Sequence, residues 1–202
     1  MDIAIRHITT ATAATIPAES EELLLIQACI RTERWAQKQL YELHYGKLMA
    51  VCVRYASSKD EAVDILHEGF MKIFVNLPRY QPDTSLLAWM RRIMINSAID
   101  YYRREQKHRT EDFDTSNYDT EDPEPDAVST CSEQDILNAI QQLSPSYRTA
   151  FNLYAIEGFS HREIADALGI GESTARANLA KARLKLQQLL TKQYPNLTGY
   201  EG

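Results

Sequence analysis

Between positions 173 and 183 lie Ser173, Thr174, Arg176, Ala177, Asn178, Lys181 and Arg183, which put hydroxyl, guanidinium, amide and ammonium groups on one short segment. Hydroxyls, amides and guanidinium groups can read base edges in a major groove, while later cations hold phosphates. The residues before them make the segment presentable. Ser160-His161-Arg162-Glu163 reads as a capping box opening a short helix at about His161–Leu168, with Gly169 suited to its left-handed end. Ile170 turns back to a core. A second helix then starts at Glu172-Ser173-Thr174, with Ala175, Leu179, Ala182, Leu186 and Leu190 as its buried side. Ala165 is small where two such helices cross. This is the helix-turn-helix pattern, although an ordinary helical hairpin shares it.

Two further sets occur earlier in the chain. Arg92, Asn96, Asp100 and Arg103 fall at i, i+4, i+8 and i+11, one hydrogen-bonding stripe along a helix. Around them stand Arg91, Arg104, Lys107 and Arg109, with Tyr80, Trp89, Tyr101 and Tyr102 interleaved. Cations suit phosphates and aromatic faces suit unstacked bases, whereas a plain solvated face has the same spacing. Upstream, Asp64, His67, Glu68 and Met71 occupy one non-core face of another helix.

The elements that must position these groups are helical throughout. Ser58-Lys59-Asp60-Glu61 reads as a capping box for a helix to about Leu77, with Val63, Leu66, Phe70, Ile73, Phe74 and Leu77 as its apolar stripe. Pro78 and Pro82 bracket a loop that carries Tyr80, Asp83 and Thr84. The next helix runs from about Ser85 to Lys107 with Leu86, Met90, Ile93, Met94, Ala98 and Tyr101 facing a core. Ser144-Pro145 places a cap residue before a first-turn proline, and that helix continues through Phe151, Tyr154 and Ala155 toward Gly158.

The net charge of -6 hides a strong segregation. Residues 29–109 hold 14 Lys/Arg against 9 Asp/Glu, and residues 138–192 hold 7 against 4, while residues 110–137 carry ten acids and neither Lys nor Arg. Charge and pattern together predict an all-α protein of two small helical domains joined by a flexible acidic linker. The expected boundaries are a disordered segment at 1–19, a helical bundle at 20–109, the linker at 110–131, a helix-turn-helix domain at 132–192 and a tail at 193–202. Cys29, Cys52 and Cys131 lack zinc-site spacing, and no run of about 18 apolar residues occurs. A cytoplasmic protein without cofactor, structural metal or membrane insertion is expected. His7, His44, His67, His108 and His161 are scattered, with no HExxH and no triad, so no catalytic residue is assigned.

Leu143-Ser144-Pro145-Ser146-Tyr147-Arg148-Thr149-Ala150-Phe151, Glu157-Gly158-Phe159-Ser160-His161-Arg162-Glu163-Ile164-Ala165, Ser173-Thr174-Ala175-Arg176 and Ala182-Arg183 closely resemble region 4 of the extracytoplasmic-function group of bacterial sigma factors. Asp64 through Phe74 and Trp89 through Asp100 resemble region 2 of that group, in the same order. The resemblance implies a factor that binds core RNA polymerase, recognises −10 and −35 promoter elements and promotes DNA melting. It implies that Asp64, His67, Glu68 and Met71 dock on the beta-prime clamp helices, with the beta flap as a second polymerase contact. Tyr80, Asp83, Trp89, Arg92, Asn96, Asp100, Arg103 and Arg104 would then serve the −10 element and melting, with one base flipped near Asn96 and Asp100. Ser173, Thr174, Arg176, Ala177, Asn178, Lys181 and Arg183 would engage the −35 duplex. The acidic linker would thread toward the RNA path, and an anti-sigma factor joins the expected partners. Two departures stand out: His67 replaces the usual glutamine, and Ala175, Ala177 and Ala180 thin the recognition helix.

Two other classes compete. A stand-alone, dimeric helix-turn-helix regulator leaves the aromatic-basic loop and the Asp64–Glu68 stripe without a use. A small hydrolase using His67 and Glu68 as acid and base lacks any further catalytic group.

Overall fold

The structure, a computed structural model, describes residues 18–111 and 132–194. The expected acidic linker lies outside the described residues, apart from positions 110 and 111, and so do positions 1–17 and 195–202. Among the described residues all regular structure is helical: α1 (Ala18–Ile30), α2 (Arg34–Tyr55), α3 (Lys59–Asn76), α4 (Leu86–Glu111), α5 (Glu133–Gln141), α6 (Pro145–Phe151), α7 (His161–Leu168) and α8 (Glu172–Gln193). Helix α1 begins two residues before the expected start at position 20, and α4 ends four residues beyond its expected limit at Lys107, because an established helix adds one backbone bond per further residue.

Helices α1–α4 form the first unit. Ser58 caps α3 by accepting the Glu61 N–H at 3.1 Å, as its spacing predicts. The Glu61 carboxylate instead takes the N–H of Ser57 at 2.7 Å, one residue outside the predicted box. The buried side of α3 is Ala62, Ile65, Leu66, Gly69, Phe70 and Ile73. Val63 and Phe74 of the expected stripe are only half-buried, and Ile65 takes a core place instead. At Gly69 the chain comes so close to α4 that an added Cβ would sit 2.3 Å from the Met94 Sδ. Met90, Met94 and Ala98 of α4 are buried against α2 and α3, as expected; Ile93 and Tyr101 are half-buried. Each large apolar side chain sealed in this way contributes about 1.5–3 kcal/mol. Burial pushes the Cys29 thiol to about 11 and the Cys52 thiol to about 12, so neither offers a reactive thiolate.

Helices α5–α8 form the second unit, in which α8 packs on α5, α6 and α7. The Ser160 box is complete, with Glu163 N–H on Ser160 Oγ at 3.2 Å and Ser160 N–H on Glu163 Oε2 at 2.8 Å. Gly169 takes φ +67°, the left-handed end its position predicts. A second complete box, Ser132 with Asp135, opens α5 and escaped the sequence reading. Ser144 occupies its cap position but its side chain makes no cap bond there; its carbonyl accepts the Arg148 N–H at 2.9 Å. After Phe151 the helix widens into a π turn, Asn152–Ile156, and ends at Gly158 with φ +77°.

Candidate nucleic-acid interface

Helix α8 presents the first predicted set. Ser173, Thr174, Arg176, Ala177, Lys181 and Arg183 are exposed and Asn178 is half-buried, while Ala175, Leu179, Ala182 and Leu186 are turned inward. The outer groups cluster in the first half of the helix, where unpaired N–H groups also favour anions. Arg176 bonds to Glu172 at 2.5 Å, which pre-aims its guanidinium along the helix. The Arg183 guanidinium lies 5.1 Å from the Tyr154 ring centroid, and that ring stacks on His161 at 5.0 Å. This column ties α8 to the end of the preceding helix and to the start of α7.

Helix α4 and the loop before it hold the second set. Arg92, Asn96 and Arg103 are exposed, Asp100 is half-buried, and the stripe runs along one side of the helix as its spacing predicts. The Tyr80 ring lies 5.2 Å from the Trp89 ring, and its hydroxyl donates to the Thr84 carbonyl. Thr84 Oγ1 in turn donates to the Gln81 carbonyl at 3.4 Å, so the loop is closed by its own bonds. Asp83 is exposed at its tip.

The third set is only partly separate from the second. Asp64, His67 and Met71 are exposed on α3, but Glu68 reaches across to α4. It accepts both Arg104 guanidinium nitrogens, at 3.1 and 2.5 Å, and pairs with Lys72 at 2.9 Å. Lys72 also bonds to Asp100 at 2.8 Å. Glu68, Lys72, Asp100 and Arg104 thus form one charged network, and two residues expected at nucleic acid brace one expected at the polymerase. The Arg104 bonds, and then Lys72, bring the Glu68 carboxyl from near 4.5 down to about 2. A carboxyl held below its unfolded value stabilises the fold above about pH 4.5, and that contribution fades as pH falls toward 2. In a carboxyl-carbon NMR titration Glu68 is expected to move with a midpoint near 2, and Arg104→Ala is expected to raise it. An ordinary glutamate midpoint in the unaltered chain would refute the network.

The two units also meet along a seam in which Leu153, Ile164, Ala165, Leu168 and Ala175 of the second share one buried apolar cluster with the core of the first, bordered by polar links. Glu157, just beyond the π turn, pairs with Arg54 of α2 at 3.2 Å and with Arg91 of α4 at 3.1 Å. Asn152 donates to the Arg54 carbonyl at 2.6 Å. Arg148 is buried and donates to the carbonyls of Tyr55 (3.3 Å), Gln141 (2.9 Å) and Leu143 (2.8 Å) and to Ser57 Oγ (3.1 Å). Arg103 donates to the Asp166 carbonyl at 3.0 Å, and the Tyr102 hydroxyl to Ser146 at 3.1 Å. Sequence reasoning assigned no role to Arg54, Arg148, Asn152 or Glu157. A signal was present: Arg148 and Asn152 are four apart on the same face as buried apolar positions, where polar groups need buried partners.

Comparison with known proteins agrees with both halves. The family model for sigma-70 region 2 matches residues 40–108 and that for sigma-70 region 4 matches residues 133–186. The RNA polymerase sigma factor CarQ of Myxococcus xanthus is 31% identical over 158 residues, covering 77% of this chain and 89% of that protein. The ECF RNA polymerase sigma factor SigE of Mycolicibacterium smegmatis is 30% identical over 158 residues, covering 76% of this chain and 61% of that protein. The chain therefore spans under two thirds of SigE. A co-crystal structure of the sigma factor RpoE with the anti-sigma factor NepR from Bartonella quintana aligns at 27% identity and a TM-score of 0.46, covering 76% of this chain and 96% of that one. The chain is a member of the sigma-70 family of bacterial RNA polymerase sigma factors, in its extracytoplasmic-function group. The all-α expectation and the resemblance read from the motifs are both borne out. Among the described residues, no helix is long and apolar enough to cross a membrane.

Proposed function

We propose that this chain binds core RNA polymerase in the cytoplasm, directs it to promoters through −10 and −35 elements, and promotes strand opening. The observation that carries this reading is the presence of two polar-basic faces of different form on one chain. The α8 face is a convex helix side, fit for the major groove of a duplex. The α4 face adjoins a self-closed loop with the Tyr80–Trp89 ring pair, fit for unpaired bases. In this reading Tyr80, Asp83, Trp89, Arg92, Asn96 and Arg103 meet the −10 strand, while Asp100 and Arg104 fasten α4 to Lys72 and Glu68 of α3. Ser173, Thr174, Arg176, Ala177, Asn178, Lys181 and Arg183 meet the −35 duplex. Exposed Asp64, His67 and Met71 form the clamp-helix contact, with Glu68 as a brace behind them, and the beta flap is a second contact. An anti-sigma factor, as in the Bartonella quintana complex, is the regulatory partner in this reading.

The test is transcription of sheared genomic DNA with purified core polymerase, followed by mapping of RNA 5′ ends. Discrete new starts are expected only when chain and core are both present. Duplex binding by the chain alone, with no core-dependent starts, identifies a stand-alone regulator instead.

A further inference from the structure

Arg183 is held in place without an acid. Arg176, on the same helix, bonds to the Glu172 carboxylate, and on α4 Arg104 and Arg91 are held by Glu68 and Glu157. Such a pair fixes a guanidinium, but it occupies N–H donors and offsets the charge that a phosphate would meet. Among the described residues no carboxylate pairs with Arg183. Its Cζ lies instead over the Tyr154 ring, 5.1 Å from the centroid, and the residue is exposed. An aromatic face attracts a cation through its quadrupole and carries no net charge, so the positive charge and the five N–H donors of the guanidinium remain available. The ring is itself fixed. Tyr154 is half-buried in the middle of the π turn Asn152–Ile156, next to fully buried Leu153, and stacks on His161 at 5.0 Å with 22° between the ring planes. His161 is the first residue of α7, so the brace is anchored on the helix-turn-helix itself. Arg183 stands seven residues after Arg176, two turns and roughly 10 Å farther along the same edge of α8.

We infer that Tyr154 is a positioning residue for duplex binding: its ring holds the Arg183 guanidinium ready for a backbone phosphate while leaving the charge and the donors for that phosphate. The inference rests on the reading of α8 as the −35 duplex face. Its physical basis is preorganisation. An arginine side chain that is loose in the free protein loses rotamer freedom when it meets a phosphate, and that loss weakens binding. Over Tyr154 part of the loss is already taken on folding. A carboxylate in the same place would order the side chain equally well but would repel the phosphate. A phosphate contact carries no sequence information, so Tyr154 governs how tightly α8 sits on a duplex and not which bases it prefers.

The test is a double-mutant cycle on Tyr154 and Arg183, run with the full chain assembled on purified core polymerase. The probe is a labelled duplex spanning a promoter mapped in the transcription experiment, and fluorescence anisotropy reads closed-complex affinity over about 50–200 mM salt. Arg183→Gln is expected to weaken binding about tenfold and to make the slope of log affinity on log salt shallower by about 0.9, the mark of one lost phosphate contact. Tyr154→Leu is expected to weaken binding about threefold in the parent chain and to add nothing beside Arg183→Gln. Tyr154→Phe keeps the aromatic face and is expected to restore the parent affinity. Equal losses from Tyr154→Leu with and without Arg183 overturn the inference, because a ring that only packs the π turn acts in both backgrounds. An unchanged salt slope in Arg183→Gln overturns it as well, by removing the phosphate from Arg183. Failure of the promoter reading shows separately, as an absence of core-dependent starts in the transcription experiment, and takes the inference with it.

Discussion

Replacing Arg148 by alanine is expected to destabilise the second unit by about 3 kcal/mol and to lower its thermal midpoint by about 10 °C or more. The guanidinium is 3% exposed as a residue and bonds four oxygens that lie near the ends of two helices. Gln141 and Leu143 carbonyls terminate α5, and the Tyr55 carbonyl terminates α2. Carbonyls at a helix end have no partner within the helix and carry its negative pole, so a cation there both satisfies and neutralises them. Alanine leaves those acceptors to whatever water can enter. Arg148→Lys keeps the charge but lacks the planar fork that spans separate acceptors, so a partial loss is expected. Differential scanning calorimetry of the full chain reads both variants. A transition unmoved by Arg148→Ala contradicts the buried assignment.

The second large effect is expected on promoter opening. Asn96→Ala should slow opening at a mapped promoter about tenfold while leaving closed-complex formation nearly intact. A lost amide contact to a base edge is worth about 1–3 kcal/mol, and about 1.4 kcal/mol is tenfold. Among the described residues the Asn96 side chain makes no hydrogen bond, and it is exposed, so its removal should leave the fold within about 0.5 kcal/mol of the parent. Permanganate reactivity of unpaired thymines measures the bubble. Normal reactivity in Asn96→Ala removes this residue from the opening step, whereas slowed opening with weakened closed complexes points to a duplex contact instead.

Local structure was legible where backbone chemistry and side-chain type coincide. The Ser160 box and Gly169 are each fixed by short-range rules, a cap bond and a positive φ, and both stand where those rules put them. The stripe on α4 was legible because a 3.6-residue period places Arg92, Asn96 and Arg103 on one face whatever packs behind them. The core side of α3 was misread by one position because Gly69 admits Met94 so closely that the packed face rotates toward Ile65. Sequence alone also could not show that Glu68, Asp100 and Arg104 engage one another, since three of the network's links cross between helices. The seam was hidden for the same reason. Arg54, Arg148 and Glu157 carry no role in the sequence reading, because their partners come together only when the ends of α2, α5 and the π turn meet.

The π turn at Asn152–Ile156 makes this place in the chain respond unequally to the loss and the gain of one residue. A π turn holds one residue more than the α-helical path, and each residue of a helix carries the chain about 100° around its axis. The Glu157 N–H reaches back five residues to the Asn152 carbonyl at 3.1 Å, and that reach sets the angle at which Glu157 leaves the helix. Losing a single residue from Asn152–Ile156 would restore ordinary winding over nearly the same path and keep Glu157 on its present side, whereas a further residue that continued the helix would swing it roughly a quarter turn away from Arg54 and Arg91. The turn thus already absorbs one residue of length, and a gained residue, unlike a lost one, would re-aim Glu157 relative to the first unit.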